Sequence, residues 1–122
     1  MSKVSILIVS SVFILSVFIS CTKDGGSGGG GSGGNLDCNT VSNKAFGADV
    51  NPIIQNSCNL SGCHASGSFN GPGAITNYNQ VFNNRTAIRA AVASGNMPKN
   101  ATLSTAQKNA ILCWIDGGAP NN

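Results

Sequence analysis

The chain contains no glutamate, and its four acidic residues are all aspartates. No two of them lie close together in the sequence, so a paired-carboxylate site for general acid–base catalysis is not expected. Charged residues make up only 9% of the chain and the net charge is +3. There is no basic run interleaved with aromatic residues, so we expect no binding of nucleic acid. The glycine-rich stretch GGSGGGGSGG follows no predicted strand, which excludes a phosphate-binding loop there.

The first segment of the chain has the organisation of an export signal. Lys3 is the only charge before residues 4–20, VSILIVSSVFILSVFIS, and a short basic start followed by an apolar run is typical of such signals. The residues at its end, FISC at 18–21, resemble a bacterial lipobox, in which the signal is cut before a cysteine that receives a diacylglycerol. This resemblance implies a signal peptide over residues 1–20 and lipidation of Cys21. A plain cleaved signal and an uncleaved membrane anchor remain open as alternatives.

A flexible linker is predicted over residues 21–34, after the signal. Its glycine- and serine-rich part, residues 25–34, has no side chain able to pack and spans roughly 16–20 Å as a random coil. The remaining residues, 35–122, are enough for one small domain. We therefore expect an exported bacterial lipoprotein, held by its lipid at the outer membrane and facing the periplasm or the cell surface.

Helical signals run through the first part of this domain, and no alternating strand pattern accompanies them. Asp49 is placed to cap a helix whose first turn contains Pro52. A short helix is predicted around Tyr78. A further helix is predicted over Arg85–Ser94, with Gly95 as its C-terminal glycine.

The last helix has the clearest start signal. Ser104 and Gln107 have the spacing of a capping box, and the glycine pair at 117–118 ends the helix. Its predicted apolar face consists of Ala110, Ile111, Trp114 and Ile115. The sequence therefore predicts an all-α domain of three to five short helices.

The heptad CNLSGCH places two thiols, Cys58 and Cys63, directly before His64. Two nearby cysteines can add to the two vinyl groups of haem, and a histidine that follows them can bind its iron. The usual spacing is two residues between the cysteines; here it is four, and the heptad resembles a minority variant of the c-type cytochrome motif. Gly62 and Asn59 tolerate positive φ, so the two extra residues can bulge. The resemblance implies one covalent haem c held by Cys58 and Cys63, with His64 as an axial ligand of the iron.

Two other interpretations of the heptad remain open. The first is a structural zinc site, which needs about four converging ligands, although the adjacent side chains of Cys63 and His64 diverge. The second is a small disulfide loop between Cys58 and Cys63, with His64 as an ordinary surface residue.

Met97 is the predicted second ligand of the haem iron. It is the only methionine after the signal, and it lies about thirty residues after His64 in the loop GNMPKN between two predicted helices. A thioether is a good ligand for haem iron, and His/Met ligation raises the reduction potential of a cytochrome. The alternative is that Met97 fills a gap in the core, as methionine often does.

The order of these features is similar to that of a small class I-like cytochrome c, and more closely to a family of bacterial cytochrome c-like domains that are often exported lipoproteins. The resemblance implies an electron carrier rather than an enzyme, because both axial positions of the iron are taken by the protein. It also implies a monomer that exchanges electrons with redox partner proteins. Four apolar residues are expected to form ordinary core and to shield the haem: Ile53, Ile54, Phe82 and Trp114. The stretches that carry the resemblance are DVNPII at 49–54, Cys58, CH at 63–64, MP at 97–98, LS at 103–104, WID at 114–116 and GAPN at 118–121.

The other two cysteines of the folded part are Cys38 and Cys113. If haem takes Cys58 and Cys63, as the resemblance implies, we expect Cys38 and Cys113 to form a disulfide in an oxidising compartment. Four cysteines allow three pairings, and a protein with two disulfides accounts for their number equally well. The alternative function is therefore a haem-free, disulfide-stapled binding module at the cell surface.

Overall fold

The computed structural model describes residues 36–122, so the predicted signal peptide, the lipidation site Cys21 and the linker lie outside the described residues. The described part has four α-helices and no strand, and is all-α as predicted. None of these helices has the length and hydrophobicity needed to cross a membrane. A π-helical turn over Phe46–Val50 runs directly into the first helix. The helices are α1 (Asn51–Ser57), α2 (Tyr78–Asn83), α3 (Arg85–Ser94) and α4 (Thr105–Asp116).

Helix α4 forms the centre of the domain and begins with the predicted capping box. The Ser104 hydroxyl accepts the Gln107 backbone N–H at 3.2 Å, and the Gln107 side chain accepts the Ser104 N–H at 2.9 Å. All six residues from 110 to 115 are buried, where the sequence predicted a single apolar face. The reason is that the π-helical turn, α3 and the chain after α4 cover it from different sides.

The first helical segment starts a turn earlier than predicted, so the prediction that Asp49 caps it was wrong. Asp49 lies inside the π-helical turn, and its carboxylate accepts the backbone N–H of Ala45 at 2.9 Å. Val50 occupies the N-cap position of α1 and makes no side-chain capping bond. Since the chain before α1 is already helical, the carboxylate satisfies a free N–H at the start of the turn instead. Pro52 does lie in the first turn of α1, as predicted.

An aromatic cluster joins the π-helical turn, α2 and α4. The rings of Phe46 and Tyr78 meet edge to face with centroids 5.0 Å apart, and Phe46 also lies 5.2 Å from Trp114. The segment after α4 folds back onto this cluster: Trp114 Nε1 donates to the Pro120 carbonyl at 2.8 Å and the Tyr78 hydroxyl to the Ala119 carbonyl at 3.0 Å. Through these contacts the π-helical turn, α2, α4 and the segment after α4 pack together in the apolar core.

Helix α3 and one disulfide complete the domain. Helix α3 ends as predicted at Gly95, whose φ of 75° is in the left-handed region that favours glycine. Ile88 and Val92, four residues apart, are its buried residues. Cys38 is disulfide-bonded to Cys113 with an S–S distance of 2.05 Å, which is the pairing expected from the resemblance.

Candidate functional site

A cavity of about 530 Å³ lies between the segment that follows α1 and the loop that follows α3. Its volume is within the range of roughly 300–1,000 Å³ found for ligand and cofactor sites. The lining residues come from two stretches, 57–75 and 87–100. All four residues that the sequence predicted as haem anchors and ligands line this one cavity: Cys58, Cys63, His64 and Met97.

The heptad forms a compact loop at the end of α1. Cys58 is the C-cap residue of that helix, and the backbone N–H of His64 returns to the Cys58 carbonyl at 3.2 Å. Gly62 has a φ of 79°, as expected for the longer spacing, because this conformation costs glycine little. Asn59 does not adopt a positive φ. The two extra residues therefore fit between Cys58 and Cys63 without straining a residue that has a side chain.

The ring of His64 is buried and held in one orientation. Only 8% of the residue is exposed, and its Nδ1 lies 2.9 Å from the carbonyl oxygen of Gly73. A carbonyl can only accept, so Nδ1 carries the proton, and in the neutral ring Nε2 is the nitrogen with the lone pair. The backbone of His64 is fixed as well, because its carbonyl accepts the N–H of Ile75 at 3.0 Å. Metal-binding histidines are held in the same way, with one ring nitrogen on a backbone carbonyl and the other free to ligate.

Side chains of the glycine-rich loop over residues 65–74 donate hydrogen bonds to backbone carbonyls of the heptad. The Asn70 amide donates to the carbonyls of Gly62 at 2.9 Å and Cys63 at 3.2 Å, and the Ser68 hydroxyl also donates to the Cys63 carbonyl. The roles of Asn70 and Gly73 were not predicted from the sequence. The Asn-Gly-Pro-Gly run at 70–73 is a turn signal, but it does not indicate which part of the chain the turn contacts.

Met97 approaches the cavity from the loop after α3. It is half-buried, and its backbone N–H donates to the Ala91 carbonyl at 3.2 Å, which folds the loop back against the helix. The neighbouring wall is a strip of α3 made of Ala87, Ile88, Ala91 and Val92. The alanines at 87 and 91 lie one helical turn apart, so their small side chains leave room on the cavity side.

The two thiols of the cavity have different surroundings. Neither is in a disulfide, and Cys58 is buried whereas Cys63 is half-buried. Burial raises the pKa of Cys58, and the neighbouring Cys63 raises it further. Because the ordinary thiol pKa is already above neutral, Cys58 keeps its proton at neutral pH. Since both thiols are free, the structure does not contain the alternative Cys58–Cys63 disulfide.

Ile53, Ile54, Phe82 and Trp114 were expected both to form ordinary core and to shield the haem, and the structure confirms the core role. None of them lines the cavity. Ile54 and Trp114 are fully buried in the core, and Ile53 and Phe82 pack against it. The apolar walls come instead from Pro72, Ile75 and α3. Helical periodicity identifies an apolar face, but the tertiary packing decides what covers that face.

Within residues 36–122, no group of three or more His, Cys, Asp or Glu side chains is arranged to hold a metal ion. The single histidine described, His64, is accompanied at the cavity by two thiols and one thioether. The chain matches no protein-family model, no curated protein and no solved structure.

Proposed function

We propose that this chain is a monohaem c-type cytochrome that transfers electrons from a lipid-anchored position at a membrane. The observation that supports this most strongly is the meeting of Cys58, Cys63, His64 and Met97 at one cavity of about 530 Å³. Met97 is distant from the heptad in sequence, so the heptad alone does not require it to be there. The chemistry also fits: two thiols, an imidazole nitrogen with a free lone pair and a soft thioether are the donors that a c-type haem uses.

In this proposal Cys58 and Cys63 make the covalent attachment. Their thiols would hold the haem as thioethers, and because a whole S–H adds across a vinyl C=C bond, no leaving group would be needed. Burial keeps Cys58 as a neutral thiol, the form that contains this hydrogen. The loop between the cysteines holds both thiols on one cavity wall.

His64 and Met97 are the axial donors. The Gly73 carbonyl fixes the tautomer of His64, so Nε2 is the nitrogen available to iron. When bound, haem supplies a one-electron ferric/ferrous couple, and a thioether such as that of Met97 raises its potential. If His64 and Met97 both held the iron, small molecules would have no open site at the metal. We therefore propose electron transfer and no enzymatic reaction.

The surroundings of the domain follow from the sequence. Lipidation of Cys21 and the linker over residues 21–34 would hold the domain near the outer membrane as a monomer, facing the periplasm or the cell surface. Its partners are redox proteins that donate and accept single electrons.

The test is covalent haem content. The full-length chain is expressed in a bacterium with c-type haem maturation and purified in detergent. We expect a red protein with a sharp Soret band and an intact mass increased by one haem that persists in reductant and denaturant. The variant Cys58→Ala/Cys63→Ala should lose this covalent haem. The matched control, Cys38→Ala/Cys113→Ala grown at low temperature, loses as many cysteines and should keep the covalent haem. A colourless wild type from cells that mature a control cytochrome would falsify the proposal.

A second candidate is a haem-free binding module stapled by the disulfide. One observation favours it: the aromatic cluster of Phe46, Tyr78 and Trp114 and the Cys38–Cys113 bond do not line the cavity, so the domain has a source of stability without an occupant. This candidate predicts a colourless wild type in which Cys58 and Cys63 can both be alkylated after denaturation without reductant.

A further inference from the structure

The cavity contains one permanently charged side chain, Lys99. It follows the Met97-Pro98 pair, and Asn100 beside it also lines the cavity. The other titratable groups of the lining are His64 and the two thiols, all on the opposite stretch of chain. Lys99 is exposed, so its ammonium is hydrated and able to reach an anion at the mouth of the cavity.

Lys99 differs from the other cations of residues 36–122 because it has no partner there. The other four each make a short polar contact: Lys44 Nζ with the Cys38 carbonyl at 2.6 Å, Arg85 with the Phe82 carbonyl at 2.7 Å, Arg89 with the Asp116 carboxylate at 2.5 and 2.9 Å, and Lys108 Nζ with the Ala93 carbonyl at 2.8 Å. Within the same residues Lys99 forms no hydrogen bond and no ion pair. Among the cations of residues 36–122, Lys99 is therefore the one whose charge is available to a bound molecule.

No carboxylate of the described domain compensates Lys99. Asp37 accepts the Asn39 backbone N–H at 3.0 Å, Asp49 bonds to Ala45, and Asp116 is paired with Arg89. None of these aspartates lines the cavity. An apolar cavity with an unpaired ammonium at its edge is complementary to a ligand that is mainly apolar and carries a carboxylate.

We propose that Lys99 binds a carboxylate of the cavity's occupant, with the side-chain amide of Asn100 as a second donor. This inference rests on the proposed function, under which the carboxylates are the haem propionates. Lys99 is then a positioning residue, because it orients the acidic edge of the bound molecule toward the loop that contains Met97. The two thiols hold the opposite edge of that molecule. Since the ammonium is exposed, we expect its removal to change the ferric/ferrous equilibrium by no more than about five-fold.

The experiment uses the detergent-solubilised full-length holoprotein and three variants: Lys99→Gln, Lys99→Arg and Lys44→Gln. Lys44→Gln is the charge-matched control, because it removes one cation that does not line the cavity. Resonance Raman spectroscopy provides the propionate bending band, whose frequency depends on hydrogen bonding to the carboxylate. Potentiometric titration provides the reduction potential.

We expect Lys99→Gln to move the propionate band to lower frequency and to lower the potential, because the ferric form carries one more positive charge and is destabilised by a nearby cation. Lys99→Arg should retain both values, and Lys44→Gln should change neither. If Lys99→Gln and Lys44→Gln give the same band and the same potential as the wild type, the inference is wrong, although a red wild type would still support the cytochrome. A wild type without haem bands would overturn both.

Discussion

Removal of the Cys38–Cys113 disulfide is expected to destabilise the domain strongly. The bond joins positions 75 residues apart, and the chain-entropy relation gives about 4.5 kcal/mol for a loop of that length at 25 °C. Cys113 is only 2% exposed, so truncation to alanine adds up to about 1 kcal/mol for lost packing. Small domains have unfolding free energies of roughly 5–15 kcal/mol. The variant Cys38→Ala/Cys113→Ala should therefore lose a third or more of the total.

The assay is thermal and urea unfolding of the full-length chain in detergent, followed by far-UV circular dichroism. At about 4–8 °C per kcal/mol for a domain of this size, we expect a melting temperature at least roughly 20 °C below that of the wild type. Lys44→Met is the control that separates the covalent bond from its surroundings, since it removes only the contact of Lys44 with the Cys38 carbonyl. An unchanged melting temperature in the double variant, or alkylation of Cys38 and Cys113 in denatured, unreduced wild type, would refute the reasoning.

Three further changes test the site and the anchor. Met97→Ala should abolish the weak red-end absorption of ferric iron bound to sulfur, lower the potential and admit carbon monoxide and cyanide; equal binding rates in wild type and variant would make Met97 a packing residue. Asn70→Ala removes two hydrogen bonds to the carbonyls of Gly62 and Cys63, and we expect a loss of about 1–3 kcal/mol in urea unfolding, whereas an unchanged midpoint would show that the loop is held by other contacts. Fatty-acid labelling should mark the wild type and not Cys21→Ser, and a Cys21→Ser protein that lacks its signal yet stays equally membrane-bound would rule out lipidation.

The parts of the fold that were predictable from sequence are those governed by neighbouring residues. The capping box of α4 and the end of α3 at Gly95 depend on side chains and backbone angles within one turn of the helix, and both are present. Asp49 shows the limit of such reasoning. Its carboxylate could accept an N–H that precedes it or one that follows it in the sequence. It accepts the preceding N–H of Ala45, because the residues before Asp49 are already helical, and those residues contain no strong start signal for a helix.

The candidate site also contains some residues that were predictable from the sequence and others that were not. The heptad identified Cys58, Cys63 and His64 because their chemistry is contained in consecutive residues, and Met97 because no other thioether follows the signal. The carbonyl of Gly73 was not predictable, since every residue has a carbonyl and only the fold determines which one reaches the His64 ring. That Trp114 does not line the cavity was not predictable for a related reason: α4 is covered on several sides, and its period does not distinguish the cavity from the core.

The disulfide also determines how mechanical load passes through the domain. A force applied through the predicted N-terminal linker would reach Cys38 near the start of the described chain and pass through the disulfide directly into α4. Residues 39–112, which include the whole cavity lining, lie outside this covalent path. In the proposed lipid-anchored molecule, drag or displacement would therefore be transmitted to α4, and the thiols, His64 and Met97 would lie outside the shortest covalent route of the force.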